Sequence, residues 1–321
     1  MNGSRDTLLL NSALAAHAAG LSLMPPKEDG SKAPGGQWAE YQRRLPSVDE
    51  IHRWYDSGRS GLGLVCGAVS GNLEMMEFEG GAVSDGLPEQ FRERAEQVGL
   101  GELLARVGAG YCERTPSGGY HLLYRCSGPI EGSLKLARRR SGTEVQVLIE
   151  TRGEGGYVVV APSGGHVHPS GERWELLRGG LEQIVTINPA EREALLDLAR
   201  SFDELRRAGA DESQPDGKDG QRPGDDFNVR ARWEDVLEPH GWTKLFTARD
   251  GNQHWRRPGK ALGASATVSP EGDHFYVFTT STSFGSERAY TKFHAYAILN
   301  HAGDFAAAAR GWASRDTDGS P

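Results

Sequence analysis

Apolar residues recur with helical spacing in several segments of the chain. The clearest segment begins at Ser47, which forms a Ser-x-x-Glu capping box with Glu50 ahead of an apolar stripe. We also predict a helix over about 7–19 and another that opens at Pro88. A further helix is predicted in "NPAEREALLDLARSFDEL", where Asn188 is the N-cap.

Short apolar runs lie between these helices, and Gly, Pro, Ser or Asn residues bound each run. This pattern is typical of β-strands joined by turns. The predicted strands are "LSLM", "GLGLVCG", "LEMMEFE", "YCERT", "YHLLYRC", "EVQVLIET" and "YVVVAP". Helices and strands are therefore mixed along the first part of the chain.

The composition changes after Arg207. Residues 207–226 are rich in Gly, Asp and Pro and almost free of apolar residues, which indicates a flexible acidic linker. The predicted organisation is a first domain over 1–206, this linker, and a small α+β domain over 227–321. The small domain is expected to hold a short helix, strands around Trp255 and "HFYVFTT", and two helices near its end.

Bulk composition narrows the class of protein. The 321 residues carry a net charge of −8, which argues against a protein that coats nucleic acid by bulk electrostatics. No run of 18 apolar residues is present, and the first twenty residues lack the layout of a signal peptide, so we expect no membrane contact and a cytoplasmic protein. The three cysteines stand far apart and are expected to be free thiols.

The stretch "LEMMEFEGG" ends an apolar strand with two acids. Side chains alternate along a strand, so Glu77 and Glu79 share a face with Leu73 and Met75. Two like charges about 7 Å apart at the end of a buried strand repel each other and lose hydration. Arginine partners or a divalent cation could compensate them, and hard oxygen ligands suit Mg²⁺ or Mn²⁺. A solvated strand end with unrelated glutamates is the alternative.

Two further strands carry polar groups at comparable places. In "TPSGGYHLLYR" a Ser-Gly-Gly turn precedes a strand with His121 and Arg125 on one face, and such a turn lets backbone amides approach a phosphate. "EVQVLIETRGEGG" ends its apolar run at Glu150, with Arg152 at the next position on that face. Three carboxylates, a histidine and nearby basic groups are what phosphoryl transfer requires.

The ordered set of motifs resembles the prim-pol domain of the archaeo-eukaryotic primase superfamily, found in phage and plasmid replication proteins. The acidic pair lies in "GAVSGNLEMMEFE", the glycine-rich turn and histidine in "SGGYH", and the third acid in "IETRGEGGYVVVAPS". The opening "LMPPKEDGSKAPGGQW" is also similar to that of the family. The resemblance covers about residues 8–205.

The resemblance implies an RRM-like antiparallel or mixed sheet with flanking helices, and a DNA primase/polymerase that transfers nucleotides to a 3′-hydroxyl on single-stranded DNA. Glu77, Glu79 and Glu150 would hold two Mg²⁺ or Mn²⁺ ions, and His121 would contact the incoming NTP or dNTP. The expected nucleotide-binding residues are Lys32, Ser117, Gly118, Gly119, Arg125, Arg152 and Ser163. If the chain is phage-encoded, its compartment is the host cytoplasm.

The acidic positions depart from the family pattern, because glutamates replace the usual aspartates at all three. A longer side chain moves the oxygens outward by about 1.5 Å. An alternative is therefore a catalytically weakened domain that binds a nucleotide, single-stranded DNA or a helicase. An α+β protein with a chance order of motifs is a third reading.

Basic clusters outside these motifs are candidates for nucleic-acid contact. "KLARRR" would either follow template phosphates or form a solvated loop, and "WRRPGK" lies in the small domain, which faintly resembles a primase zinc ribbon without its cysteines. The residues concerned are Lys135, Arg138, Arg139, Arg140, Arg256, Arg257 and Lys260. No G-x-x-x-x-G-K-[ST] motif is present, so a separate replicative helicase is the expected partner.

Overall fold

The computed structural model describes residues 3–205, 223–279, 281–285 and 288–317. The chain divides into two compact units. The first comprises Met1–Glu93 and Gly101–Glu193, and the second comprises Arg94–Leu100 and Ala194–Pro321. Both units contain helices and an antiparallel sheet, which confirms the predicted α+β class.

Four of the helices in the first part of the chain match predicted segments, whereas those over Gly80–Ser84 and Gly101–Gly110 were not predicted. The helices of this part are α1 (Gly3–Ala18), α2 (Val48–Tyr55), α3 (Gly80–Ser84), α4 (Leu87–Gln97), α5 (Gly101–Gly110) and α6 (Pro189–Arg200). The capping box at Ser47 is present, and Asn188 caps α6 by accepting from the backbone N–H of Glu191. Helix α1 begins earlier than the sequence indicates.

The strands of the first unit form two sheets. They are β1 (Leu23–Met24), β2 (Leu62–Val65), β3 (Leu73–Phe78), β4 (Tyr111–Arg114), β5 (Tyr120–Cys126), β6 (Lys135–Ser141), β7 (Glu144–Arg152), β8 (Tyr157–Val160), β9 (Glu175–Gly179) and β10 (Thr186–Ile187). A three-stranded sheet has the order β1-β2-β8, and a seven-stranded sheet has the order β6-β7-β3-β5-β4-β9, with β10 parallel to the end of β5.

The basic segment "KLARRR" was expected as a loop or a phosphate track, and the structure makes it a strand. It forms β6 at one edge of the seven-stranded sheet, antiparallel to β7. Register shifts interrupt the pairing near Ala137. Charged side chains are common on edge strands, because they discourage pairing with another chain. The charge of this segment therefore fits an edge strand as well as a loop.

The core of the first unit explains why β3 ends in acids. Leu73 and Met75 are fully buried in a cluster that also includes residues of α1, α2, β2 and β8. On the opposite face of β3, Phe78 makes an edge-to-face contact with Phe91 of α4. Other elements therefore cover both faces of β3 as far as Glu77. At Glu77, the packing that covers the face of Leu73 and Met75 ends.

The second unit has its own core. Its elements include α7 (Pro223–Arg230), α8 (Trp233–Leu237), α9 (Lys292–His301), α10 (Phe305–Thr317), β11 (Thr243–Thr247), β12 (Gln253–Arg256), β13 (Ala266–Val268), β14 (Phe275–Val277) and β15 (Arg288–Tyr290). The five strands form an antiparallel sheet in chain order. Trp255 and Phe275 are fully buried against the helices, so aromatic residues build the core of this unit.

The predicted domain limits differ from this division. Residues 194–205 belong to the second unit, where Asp197 accepts from the ammonium of Lys260 and the backbone N–H of Gly263 donates to Val98. The predicted linker 207–226 lies mostly outside the described residues, and α7 includes its last four.

Candidate active site

Three carboxylates meet at one end of the seven-stranded sheet. The antiparallel register of β3 and β7 places Glu77 directly opposite Glu150, and Glu79 follows β3 at the N-terminus of α3. Each of the three side chains offers an oxygen that lies within 4.8 Å of the other two. Glu150 is buried, whereas Glu77 and Glu79 are half-buried. The predicted acidic cluster is therefore formed.

The charges of this cluster are only partly balanced. Burial raises the pKa of Glu79, and repulsion from Glu77 and Glu150 adds to the effect. Burial also raises the pKa of Glu150, although Arg152 contacts its carboxylate and opposes the shift. For Glu77, burial is outweighed by the hydrogen bond and charge of His121, so its pKa falls below the ordinary value. The cluster has an affinity for further positive charge.

A buried pair holds His121 beside the acids. The Nε2 atom of His121 lies 3.4 Å from Glu77, and its Nδ1 atom lies 2.6 Å from Glu113. Glu113 also accepts the hydroxyl of Tyr111 and the backbone N–H of Ala161, both at 2.6 Å. Burial alone would lower the pKa of His121, but the two carboxylates raise it to about 9. The imidazole is held as a cation aimed at the acidic cluster.

Glu77, Glu79 and His121 line a cleft of about 340 Å³, and Glu150 lies opposite Glu77 on the neighbouring strand. Other lining residues are Ser31, Lys32, Ser117, Ser133, Arg152, Tyr157, His168 and Trp174. The Ser-Gly-Gly turn borders the cleft because glycine permits a close approach. A Cβ on Gly119 would lie 2.5 Å from the carbonyl oxygen of Phe78, and Gly118 has a φ of +84°. The turn therefore packs directly on the end of β3.

Comparison with family models agrees with this geometry. The model of the N-terminal domain of bifunctional DNA primase/polymerases matches residues 13–191, which is more than half of the chain. The chain belongs to this prim-pol family. No match was found among curated proteins. Across the ranges that the structure describes, every helix is too short or too polar to cross a bilayer.

The prim-pol site fits a divalent cation by its donors. Glu77, Glu79 and Glu150 supply hard carboxylate oxygens on converging side chains, as Mg²⁺ and Mn²⁺ require. Burial, with repulsion between the acids added to it, raises the pKa values of Glu79 and Glu150, and a bound cation would oppose both effects. The residues present therefore fit such an ion.

Several predicted nucleotide-binding residues lie at this cleft. Lys32, Ser117 and Arg152 line it together with the acids, and Gly118 and Gly119 form the turn beside it. The charge of Lys32 acts on both Glu77 and Glu79. Sequence order alone therefore indicated most of the side chains that the prim-pol fold brings together.

Two predicted nucleotide-binding residues lie elsewhere. Arg125 is four residues beyond His121 on β5, and its guanidinium donates to the carbonyl oxygens of Ser70 and Ala19. Ser163 is fully buried. Its hydroxyl accepts from the backbone N–H of Leu62 and donates to the carbonyl oxygen of Val160. Both residues bond to backbone groups within the chain, and neither lines the cleft, so the expectation that they contact the nucleotide is not supported.

The basic residues of β6 differ in how far they are engaged. Lys135 is exposed and pairs in register with Glu150, whose pKa its charge lowers. Arg139 forms an ion pair with Asp85 and donates to Gln146 at 3.0 Å. Arg138 and Arg140 lie on the opposite face of the hairpin from Arg139. Contact of these side chains with nucleic acid stays a prediction.

The basic residues of the second unit have internal partners. Lys260 donates to Asp197 at 2.7 Å and to the carbonyl oxygen of Ala264, and its side chain is only 6% exposed. Arg256 donates to the carbonyl oxygens of Gly263 and Val98. The expectation of phosphate contact is corrected for Lys260, because its ammonium balances a buried carboxylate. Arg257 is half-buried, and its contact stays a prediction.

Two residues of the site were missed in the sequence. Glu113 anchors His121, and its signal was an acid in the otherwise apolar and aromatic strand "YCERT". His168 lines the cleft and lies 3.1 Å from the hydroxyl of Ser117. Its segment "GGHVHPSG" contains no acid or cysteine, so the sequence around His168 gives no signal that connects it with the site.

Proposed function

We propose that the chain is a DNA primase/polymerase that transfers nucleotides to the 3′-hydroxyl of a primer on single-stranded DNA. The observation that carries this proposal is the convergence of three carboxylate oxygens within 4.8 Å of one another, in a cleft that also holds His121 and Lys32. Membership of the prim-pol family supports the same reaction class. The setting that we propose is phage or plasmid replication, with a separate helicase.

The acidic residues would hold the metal. Glu77, Glu79 and Glu150 would bind Mg²⁺ or Mn²⁺, and two bound ions would activate the attacking hydroxyl and balance the charge of the leaving pyrophosphate. Burial and, to a lesser extent, repulsion between the acids raise the pKa values of Glu79 and Glu150, which favours cation binding over an empty cleft. Glu77 is kept ionised by His121 and needs no metal for this.

The basic and polar groups would bind the triphosphate. His121 is cationic near neutral pH, and its Nε2–H would donate to a phosphate oxygen at the rim of the acidic cluster. Lys32 and Arg152 would balance further charge, and the Ser117 hydroxyl would donate at short range. These groups orient the nucleotide and exclude water from its reacting phosphate. The amides of Gly118 and Gly119 already donate within the turn, to the carbonyl and hydroxyl oxygens of Thr115, so we propose no nucleotide contact for them.

The template would follow the exposed hairpin of β6 and β7. Lys135 is adjacent to Glu150, and Arg140 is exposed further along the same strand. Exposed lysine and arginine side chains contact the phosphates of a strand without reading its sequence. We propose this path for single-stranded DNA that enters or leaves the cleft.

A second candidate function is binding without catalysis. The contact between Arg152 and Glu150 favours it, because that ion pair occupies a carboxylate that catalysis requires for metal. The longer glutamate side chains also alter the reach of every ligand relative to aspartate. Such a protein would recognise a nucleotide, single-stranded DNA or a helicase in replication.

Primer extension separates the two candidates. The full chain is incubated with a labelled primer on a single-stranded template, NTPs or dNTPs, and Mg²⁺ or Mn²⁺. Metal-dependent extension that is lost in Glu77→Ala is expected. Binding of template and nucleotide without extension under any combination of metal and nucleotide contradicts the polymerase and supports the binding protein.

A further inference from the structure

His168 lies at the edge of the cleft and is held in one orientation. It follows the short turn Gly165–Val167 after β8, and its ring meets the buried ring of Trp174 edge-to-face at 5.8 Å. The side chain is half-buried and lines the same cleft as Glu77 and Lys32. Its ring is therefore placed to act on groups of the nucleotide site.

The hydrogen bonds around His168 determine its tautomer. The backbone N–H of Ser170 donates to Nδ1 at 3.1 Å, so a proton on Nδ1 would face another proton. The hydroxyl of Ser170 lies 2.7 Å from the same atom and itself accepts from the backbone N–H of Glu172. Nδ1 is therefore an acceptor, and the proton of the neutral ring is on Nε2.

The Nε2–H group faces Ser117. The hydroxyl oxygen of Ser117 lies 3.1 Å from Nε2, so it accepts this proton donor. The hydroxyl of Ser117 then keeps its own proton for a different acceptor. Since Ser117 lines the cleft on the Ser-Gly-Gly turn, this proton is available to a group that binds there.

The direction of these bonds also excludes a hydrolytic pair. A histidine that serves as base to a serine must accept the hydroxyl proton at a free ring nitrogen. Here Nδ1 is occupied by Ser170, and Nε2 already carries a proton. Burial and the charge of Lys32 both hold the pKa of His168 below its usual value, in keeping with a neutral ring.

We propose that His168 is a positioning residue of the nucleotide site: as the Nε2–H tautomer fixed by Ser170, it directs the hydroxyl of Ser117 to donate to a phosphate oxygen. This inference rests on the proposed binding of a nucleoside triphosphate in the cleft. It adds to that site a residue that acts through another and touches neither the acids nor the reacting atoms. Ser170 orients the histidine in turn.

The tautomer is tested first, because it does not depend on activity. Long-range ¹H–¹⁵N spectra of the full chain with labelled histidine are compared with those of His168→Phe, which identifies the signal. A neutral Nε2–H ring at neutral pH is expected. A charged ring or an Nδ1–H ring overturns the proposal.

Nucleotide affinity tests the coupling to Ser117. Binding of ATP or dATP with Mg²⁺ is measured for the full chain, His168→Phe, His168→Gln, Ser117→Ala and the double variant of Ser117→Ala with His168→Phe. Phenylalanine keeps the contact with Trp174 but loses the donor, whereas the amide of glutamine restores a donor near Nε2. We expect Ser117→Ala to weaken binding about tenfold, as for loss of one hydrogen bond to a charged group.

His168→Phe should lose a comparable factor, His168→Gln should recover most of it, and the double variant should match Ser117→Ala alone. Independent losses that multiply in the double variant, or an affinity that His168→Phe leaves unchanged, overturn the proposal. Wild-type protein that binds neither nucleotide contradicts the proposed function, and the tautomer spectrum then still reports on His168 itself. Wild-type protein that binds nucleotide without extending a primer contradicts only the polymerase, and the affinity comparison stands.

Discussion

Strand β3 carries glutamates on both faces, and the partners of these glutamates differ between the two faces. On the face away from the cleft, Glu74 is fully buried and accepts two hydrogen bonds from the guanidinium of Arg192, at 2.6 and 2.9 Å. The hydroxyl of Tyr124 donates to the same carboxylate at 2.9 Å. The buried carboxylate of Glu74 is therefore charge-balanced and hydrogen-bonded by groups of the same chain.

On the cleft face, three carboxylates share the positive charges around them. Glu77, Glu79 and Glu150 crowd together, with His121 beside one and Arg152 beside another, while Glu79 gains only more distant charges. The residue type and the strand are the same, so the difference lies in the partners. A buried acid with its own arginine stabilises a fold, whereas acids that repel one another are a place for a cation from outside.

The largest expected effect concerns the cleft face. Glu77→Ala should reduce primer extension by about 10³-fold or more, because charge stabilisation by a held metal is worth several kcal/mol. The folded state should lose little stability, since the substitution also removes repulsion from Glu79 and Glu150. Extension rates and thermal denaturation of the same preparations measure both.

The control for that prediction is an acid of the same unit with no place in the cleft. Glu89→Gln on the exposed side of α4 should extend primers as the wild type does. If Glu77→Ala retained full extension, or unfolded as readily as a core variant, the distinction between the two faces of β3 would be lost.

The next effect concerns the opposite face. Glu74→Ala leaves the buried guanidinium of Arg192 without its main partner, and we expect the free energy of unfolding to fall by about 3–5 kcal/mol. Denaturant titration measures this loss. Replacing Glu74 and Arg192 together by methionine should recover part of it, because both buried charges then disappear. A double variant as unstable as Glu74→Ala would show that the pair is not the cause.

A smaller effect is expected for Glu113, the buried acid that orients His121. Glu113→Gln removes the carboxylate that accepts from Nδ1 of His121, so the ring loses both its charge and its fixed orientation. We expect kcat/KM for the nucleotide to fall by about 10–100-fold. Losses of this size are typical when a functional histidine loses the hydrogen-bond acceptor of its other ring nitrogen. Steady-state kinetics with varied nucleotide measure this change.

Tyr111→Phe is the matched control for that variant. It removes one donor to Glu113 but leaves the bonds to His121 and to the backbone of Ala161. Its effect on kcat/KM should be clearly smaller than that of Glu113→Gln. Equal losses in the two variants would mean that packing of β4, and not the orientation of His121, is what matters.

The sequence predicted the parts of this arrangement that depend on local pattern. Alternation predicted that Glu77 shares a face with Leu73 and Met75, and the capping box at Ser47 is as expected. The cluster of three acids could be proposed because each ends an apolar run. Each of these patterns extends over only a few residues, so it can be recognised without knowledge of the fold.

Partners that lie far apart in sequence could not be predicted. Arg125 lies on the same face of β5 as His121. Its guanidinium, however, donates to the carbonyl oxygen of Ala19, which is 106 residues away in sequence. Glu113 is fixed by the backbone of Ala161, 48 residues away, so its sequence neighbours gave no reason to connect it with the site. The basic strand β6 was ambiguous because charge alone does not separate a loop from a sheet edge.

The smallest effect tests the cation itself. Mg²⁺ or Mn²⁺ at about tenfold above Kd should raise the free energy of unfolding by about 1.4 kcal/mol, because the ion binds the folded protein only. The pKa values of Glu79 and Glu150 are raised in the metal-free fold, so those two groups weaken the fold as pH rises past their ordinary value of 4.5. Below that range the ion must displace their protons. Stabilisation by metal should therefore be larger near pH 8 than near pH 5.

Thermal denaturation with and without metal at both pH values measures this difference. Glu79→Gln should lose much of the stabilisation by metal, since it removes one ligand, while Glu89→Gln should keep all of it. Glu74, which has its own arginine, should contribute nothing to the metal effect even though it lies on the same strand. Stabilisation that is equal at the two pH values, or that survives Glu79→Gln, would mean that the cation binds elsewhere and that the crowding of the cleft face has another cause.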